Sequence, residues 1–241
     1  MGDQMSSASL NSEINSGAGR GLGRAAGFGY LAIFVTGIAW YAPMMGLRAG
    51  GDGALLAHIR DAQFLFRLSV LSGAATFVAY LITAALLYRR YHAEAGIAVT
   101  LLFAFVVGSV PFSLIAVDRQ MGLLSLLDAA GLSAQDLQAQ VAVLMRDWDN
   151  VGRLSSLFWG LWLLPLAWLA WRSGGSGRLA GVLVALGGLG YMSAFIRPLF
   201  WPGVAMGPVD IAAGVATVLS EFVITLWLIF ASDRPSKRGK A

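Results

Sequence analysis

Six apolar blocks constrain the fold of this chain more than any other feature. They cover residues 28–47, 64–87, 96–117, 154–171, 179–196 and 211–231. At a rise of about 1.5 Å per residue, each block is long enough to cross a hydrocarbon core roughly 30 Å thick. A segment that crosses lipid must satisfy its own backbone hydrogen bonds, so each block is predicted to be a helix. The sequence therefore predicts an all-α, polytopic membrane protein with six transmembrane helices.

The distribution of charge predicts the orientation of these helices. Charged residues make up 12% of the chain, about half the share usual in a soluble domain. If the N-terminus is inside, the inner segments hold ten basic residues, and the outer segments hold seven arginines against eight aspartates. Because basic residues accumulate on the cytoplasmic side, both termini are predicted to be cytoplasmic. The net charge of +4 is explained in this way, and we expect no binding of nucleic acid.

The chain divides into a membrane domain and two tails. Residues 1–26 are rich in Gly, Ser and Asn and are predicted to be a disordered cytoplasmic tail. The six-helix domain covers 27–232, and residues 233–241 form a basic cytoplasmic tail suited to anionic lipid headgroups. We expect the protein to lie in a bacterial inner membrane, with lipids as its immediate partners. The sequence does not indicate an oligomeric state.

The outer loop 118–153 is the one sizeable segment between the blocks. Within "SAQDLQAQVAVLM", Ser133 is placed to cap a helix, with Asp136 three residues later. Apolar residues then recur on one helical face, which predicts an amphipathic helix in this loop. Such a helix either lies on the outer surface with its apolar side down or covers a cavity.

Glu221 is the most informative single residue, because it is a carboxylate inside the last apolar block. Thr217 and Thr225 lie four residues to either side of it and share its helical face. The second block carries a similar stripe at the same depth: Ser69, Ser72, Thr76, Tyr80 and Thr83. We expect the two stripes to face each other or a shared cavity, with Glu221 accepting hydrogen bonds from the hydroxyl groups. An ionisable group at this depth indicates either a functional site or a protonated contact between helices.

A second group of polar residues is predicted at the outer ends of the helices. Its members, which we call the outer collar, are Asp118, Arg119, Arg153, Arg197 and Asp210. The collar either recognises an anionic headgroup through arginine or consists of interfacial arginines paired with neighbouring aspartates. Arg67 lies one turn inside the second block, beside the polar stripe, and is predicted to stand at the mouth of the cavity.

Several kinds of site are not supported by the sequence. There is no cysteine, which excludes disulfides and thiolate ligands. His58 and His92 fall on opposite sides of the membrane, so they cannot share a metal or a haem. Asp147 and Asp149 either bind a cation or begin the next helix, and the second interpretation is favoured. We therefore predict no metal, no cofactor and no catalytic residue, because no hydrolase motif is present.

Two features predict how the helices pack. Gly181, Gly187, Gly188 and Gly190 lie in the fifth block, where small residues allow close approach of helices. Trp159 and Trp162 share a face of the fourth block and either line a pocket or pack against other helices.

The chain from Arg24 to Ser232 resembles a bacterial family of multi-pass membrane proteins known as domain of unknown function 4386. The resemblance rests on "FR" at Phe66 and Arg67, on "LLYRR", on "WRSGGSGRLAGVLVALGGLGY", and on the run from Glu221 to Leu228. The family usually has a bulkier, Pro-containing turn where this chain has "GGSG". The resemblance implies a membrane bundle without an established activity, and it singles out Arg67 and Glu221 as family positions.

The sequence is compatible with four functions. The first is binding or carrying of a lipidic or small amphipathic molecule in an intramembrane cavity that contains Glu221, Thr76, Tyr80, Thr217, Thr225 and Ser72. The second is proton-coupled transport of a small solute through protonation of Glu221. The third is a membrane-embedded enzyme acting on lipid, and the fourth is a structural role in assembly. The first is the leading hypothesis.

Overall fold

The computed structural model describes residues 21–204 and 207–232, and these residues are helical with short connections. The predicted tails fall largely outside this range. Residues 22–26, which we assigned to the N-terminal tail, belong instead to the first helix. The helices are α1 (Leu22–Leu47), α2 (Leu55–Asp61), α3 (Gln63–Leu127), α4 (Ala134–Arg172), α5 (Ser176–Phe200) and α6 (Pro208–Phe230), with one 3₁₀ turn at Arg48–Gly50.

Five of these helices are long and apolar enough to cross a membrane, and α3 is long enough to cross it twice. Its 65 residues would span about 98 Å if they formed a straight helix. The helix is broken at Ala95, where φ is −150° and ψ is 42°. The two limbs, 63–94 and 96–127, fold back on each other, since a Cβ atom on Gly73 would lie 3.0 Å from the side chain of Val117. The described chain therefore holds six helical segments long enough to cross a membrane, the number predicted from the sequence.

The spans form a ring. Helix α1 packs on α3, α3 on α4, α4 on α5, α5 on α6, and α6 returns to α1. Both ends of the described chain lie at the same end of the bundle, because Arg24 Nε donates a hydrogen bond to the carbonyl oxygen of Ile229 (3.4 Å). Tyr91, at the end of the first limb, donates to the carbonyl oxygen of Ser232 at the same end (3.4 Å). We call this the inner end, following the charge distribution, and the opposite end the outer end.

The helix predicted in the outer loop is present, and Ser133 caps it as expected. The Ser133 hydroxyl oxygen accepts a hydrogen bond from the backbone N–H of Asp136 (3.1 Å). The structure differs from the prediction in one respect. The loop helix and the fourth span form one continuous helix, α4. Its apolar face is buried at Val141 and Met145, and Leu144 packs against Gly122 at the outer end of α3. The loop helix therefore covers the outer end of the bundle.

Glycines on α5 allow its close contacts with both neighbours, as the sequence predicts. A Cβ atom on Gly181 would lie 2.6 Å from the carbonyl oxygen of Ala167 on α4. A Cβ atom on Gly190 would lie 2.7 Å from the carbonyl oxygen of Ala213 on α6. Contacts this short leave no room for a methyl group, so glycine at these positions sets the separation of the helices.

Candidate functional site

A cavity of about 570 Å³ lies in the outer half of the ring. All five long helices contribute to its wall, among them Thr76 and Tyr80 from α3, Tyr191 from α5 and Glu221 from α6. Asp149 and Arg153 of α4 line it near the outer end. Its volume lies within the range of about 300–1,000 Å³ that is usual for small-molecule pockets.

Glu221 lies at the deep end of this cavity. It is thirteen residues from the start of α6, or about 20 Å below the outer end of that helix. Its residue surface is 6% exposed, and neither carboxyl oxygen has a hydrogen-bond partner among the residues that the structure describes. The phenol groups of Tyr30 and Tyr191 are within reach of this carboxyl group, although neither makes a hydrogen bond of standard geometry to it. A carboxyl group buried in this way requires a compensating partner.

Aromatic side chains close the cavity toward the centre of the bundle. Tyr30 stacks on Trp162 with ring centroids 5.4 Å apart, and Tyr80 packs on the same indole at 5.0 Å. Trp162 is 1% exposed and therefore belongs to the core. Trp159, one turn toward the outer end, lines the cavity and contacts Trp40 and Tyr191 edge to face. Trp162 therefore packs against other helices, whereas Trp159 lines the pocket.

The two polar stripes meet only in part. Thr76, Tyr80 and Glu221 line the cavity together, which agrees with the shared depth inferred from the sequence. No hydroxyl of either stripe donates a hydrogen bond to the Glu221 carboxyl group, so the prediction is wrong in its donors. The hydroxyls that approach the carboxyl group belong to Tyr30 and Tyr191, which lie outside the stripes.

The stripe hydroxyls bind backbone carbonyls instead. Thr76 donates to Ser72 O (2.8 Å), Thr217 to Ala213 O (2.9 Å) and Thr225 to Glu221 O (2.7 Å). A threonine in a helix reaches the carbonyl one turn back without any cost in chain entropy, so the local bond forms first. Ser69 similarly donates to Trp40 O (2.7 Å). Most hydroxyl groups of the two stripes are therefore buried in contacts within or between helices. Of the stripe hydroxyls, those of Thr76 and Tyr80 belong to residues that line the cavity.

Arg67 does not stand at the mouth of the cavity. Phe66 and Ser69 on either side of it are fully buried, and the helical turn between them directs Arg67 to the exposed face. Arg153 of α4 occupies the position near the outer opening that we had predicted for Arg67.

The outer collar consists mainly of arginine–aspartate pairs. Arg197 pairs with Asp210 at 2.8 Å, which connects the end of α5 to the start of α6. Arg119 pairs with Asp118 at 2.8 Å and with Asp147 at 3.4 Å. The described residues contain no group of three His, Cys, Asp or Glu side chains that could hold a metal ion. The pairing interpretation of the collar is therefore the one that the structure supports.

Three features of the site were not found from the sequence. Arg48 forms a double hydrogen bond with Asp149, at 2.9 and 3.3 Å, beside the cavity. Trp40 donates to Gln120 Oε1 at 2.6 Å and ties α1 to the second limb of α3. Tyr30 and Tyr191 flank Glu221 although they lie alone in apolar runs. Of these, only Gln120, a glutamine three residues after the third block, was a signal that could have been used.

The seam between α1 and α6 differs along its length. At the inner end it is closed, since a Cβ atom on Gly27 would lie 2.7 Å from the backbone nitrogen of Ile229. In the outer half, Ile38 and Val218 both line the cavity, yet 52% and 59% of their surface is exposed. Ala194 of α5 is likewise exposed there. These exposed lining residues on α1, α5 and α6 place a lateral opening of the cavity on this side of the ring.

Comparison with known proteins agrees with the sequence motifs. The family model "Domain of unknown function (DUF4386)" matches residues 25–231, which cover nearly all the described chain. No curated protein and no solved structure matches the chain. The chain is therefore a multi-pass membrane protein that belongs to the DUF4386 family.

Proposed function

We propose that this protein binds or carries a small amphipathic molecule in the cavity between α1, α3, α4, α5 and α6. The observation that carries this proposal is Glu221, a buried carboxyl group without a hydrogen-bond partner among the described residues, at the end of a cavity large enough for a ligand. A helix contact would have supplied that carboxyl with a partner from the protein. A ligand with a polar head would supply one instead.

The walls of the cavity fit an amphipathic ligand better than a hydrophilic solute. Ile33, Ile38 and Val218 present apolar surface, and the charged groups stand at the two ends, with Glu221 at one and Asp149 and Arg153 at the other. The lateral opening beside Val218 gives a molecule dissolved in the outer leaflet a route to Glu221 that does not cross water. A bacterial inner membrane, which we proposed from the sequence, is the setting in which this route would operate.

The proposal is tested by native mass spectrometry of the protein released from lipid nanodiscs. We expect a discrete adduct on the wild-type protein, and we expect Glu221→Gln to lose it. Glu94→Gln is the matched control, because Glu94 is an exposed glutamate beside Arg90 at the inner end. A wild-type protein without an adduct, or an adduct retained equally in both variants, would contradict the proposal.

A second candidate is proton-coupled transport of a small solute. It is favoured by one observation, namely that Glu221 is the one buried charged residue within the part of the chain that the structure describes. Proton coupling predicts that Glu221→Gln abolishes pH-dependent uptake into vesicles. Uptake with the same pH dependence in this variant would reject the second candidate and leave the first in place.

A further inference from the structure

We propose that the ligand of this cavity carries a protonated amine, with its N–H groups bound to the Glu221 carboxyl and its apolar part toward the lateral opening. This inference rests on the proposed function and names the chemical class of the ligand. A lipid headgroup and a free alkylamine share this chemistry.

The Glu221 carboxylate lacks both hydrogen-bond donors and a positive charge in the described part of the chain. An ionised carboxylate is an acceptor only, and its two oxygens have about four lone-pair sites. The phenol groups of Tyr30 and Tyr191 lie near the carboxyl group, but neither of its oxygens has a hydrogen bond of standard geometry among the described residues, and no cation stands beside it. An alkylammonium group brings three N–H donors and one positive charge to this point, so it supplies both of the things that the carboxylate lacks.

Positive charge is absent from the described residues at the deep end of the cavity. Arg48 is held by Asp149 and Asp52, and Arg67 is exposed and does not line the cavity. Arg153 is the one basic residue among the described residues that line the cavity, and it lies near the outer end, whereas Glu221 lies at the deep end. An anionic head at the deep end would therefore meet a carboxylate without a cation beside it, and its burial would be unfavourable.

The wall of the cavity is rich in aromatic side chains. Six of the lining residues are aromatic: Phe34, Trp40, Tyr41, Tyr80, Trp159 and Tyr191. Aromatic rings attract cations through their quadrupole and also accept apolar chains, which suits an ammonium head with a hydrocarbon tail. An aliphatic wall would have provided only the second of these contacts.

The test compares three probes with the same ten-carbon tail: decylamine, decanol and decyl sulfate. At neutral pH decylamine is cationic, because an alkylamine, like the lysine side chain, has a pKa of about 10.4. Binding of radiolabelled decylamine is measured by scintillation proximity on the protein in phosphatidylcholine nanodiscs, and nanodiscs without protein are subtracted. The other two probes enter as competitors.

We expect saturable binding of decylamine, with decanol and decyl sulfate competing at least about tenfold more weakly. Glu221→Gln should weaken decylamine binding by about 10- to 100-fold, as expected for the loss of a charge-assisted hydrogen bond. Glu94→Gln should bind decylamine as the wild type does. A second variant, Trp159→Leu, should weaken it severalfold, while Trp168→Leu, at an exposed tryptophan on the same helix, should not.

The outcomes separate the two proposals. If none of the three probes binds saturably, the proposed function itself fails. If decanol or decyl sulfate binds as tightly as decylamine, or if Glu221→Gln binds decylamine normally, the protein binds amphipathic molecules but the amine inference is wrong.

One further arm identifies the source of the amine. Phosphatidylethanolamine, whose headgroup is a primary ammonium, is added to the nanodiscs. Displacement of decylamine by this lipid would assign the site to a lipid headgroup. Unchanged binding would assign it to a free amine.

Discussion

The two halves of the α1–α6 seam show how one pair of helices can be closed at one end and open at the other. At the inner end Gly27 brings the backbone of α1 against Ile229, and Arg24 Nε donates to the carbonyl oxygen of Ile229 (3.4 Å). In the outer half the same two helices present Ile38 and Val218, which line the cavity and remain exposed. Glycine explains the closed end, because a residue without a side chain allows two backbones to touch.

The halves also differ in how they treat carboxylates. Asp149, near the outer surface, is satisfied by Arg48. Glu221, at the bottom of the open half, has no such partner among the described residues. A bundle built for stability alone would pair or remove the deeper charge, since burial there costs more than at the surface. The open half therefore carries the features of a site, and the closed half those of a scaffold.

The largest effect is expected from breaking the closed half. Gly27→Ala would place a methyl group against the backbone of Ile229, where nothing can move aside, and should lower the free energy of unfolding by about 1–3 kcal/mol. Gly46→Ala on the same helix is the control, because a Cβ atom there meets nothing within 4 Å. The measurement is denaturation in mixed micelles. Equal stability of the two variants would show that the seam is not closed by Gly27.

A smaller effect is expected from narrowing the open half. Val218→Trp should slow association of an amphipathic probe such as decylamine by about tenfold, a change of roughly 1.4 kcal/mol in the barrier to entry, because the indole would fill the lateral opening. Val215→Trp is matched to it, since Val215 is similarly exposed on α6 (54%) but does not line the cavity. Association rates in nanodiscs distinguish the two variants. If both leave the rate unchanged, ligand does not enter between α1 and α6.

The smallest effect is expected at the paired carboxylate. Asp149→Asn removes one charge from a bridge whose side chains are 23% and 34% exposed, and it should lower the free energy of unfolding by about 1 kcal/mol or less. The same variant should leave decylamine binding close to that of the wild type, because Glu221 and not Asp149 is the proposed partner of the amine. Denaturation and binding measured on the same preparation check both statements. A loss of binding as large as that of Glu221→Gln would move the proposed amine site to the outer end.

The fold could be predicted from the sequence to a large extent, because burial in lipid leaves helices as the means of crossing. The six spans and the Ser133 cap follow from this rule and from local hydrogen bonding. The break at Ala95 was expected only as a short loop, since a single non-helical residue has no compositional signature. The sequence did not predict that α4 is continuous, because the polar outer turns of a long helix have the same composition as a separate surface helix.

The candidate site could be predicted less well than the fold. The depth of Glu221, Thr76 and Tyr80 along their helices follows from counting residues, and the structure brings these three together. The rotation of each helix about its axis does not follow from counting, and for this reason Arg67 was placed wrongly. Tyr30 and Tyr191 reach Glu221 from α1 and α5 through packing between distant segments. Such contacts leave no local pattern in an apolar run.

Cysteine accessibility of two adjacent residues on α4 tests the open cavity most directly, and the cysteine-free chain provides a clean background. Ser156 lines the cavity and keeps 5% of its surface exposed, whereas Ser155 is 1% exposed, does not line the cavity and accepts a hydrogen bond from Ser113 (3.1 Å). The variants Ser156→Cys and Ser155→Cys are treated in nanodiscs with a water-soluble methanethiosulfonate. The account predicts modification of Ser156→Cys at least about tenfold faster than that of Ser155→Cys, since only the first thiol would face open space. Equally slow modification of both would mean that the outer half is packed shut, and it would contradict the account.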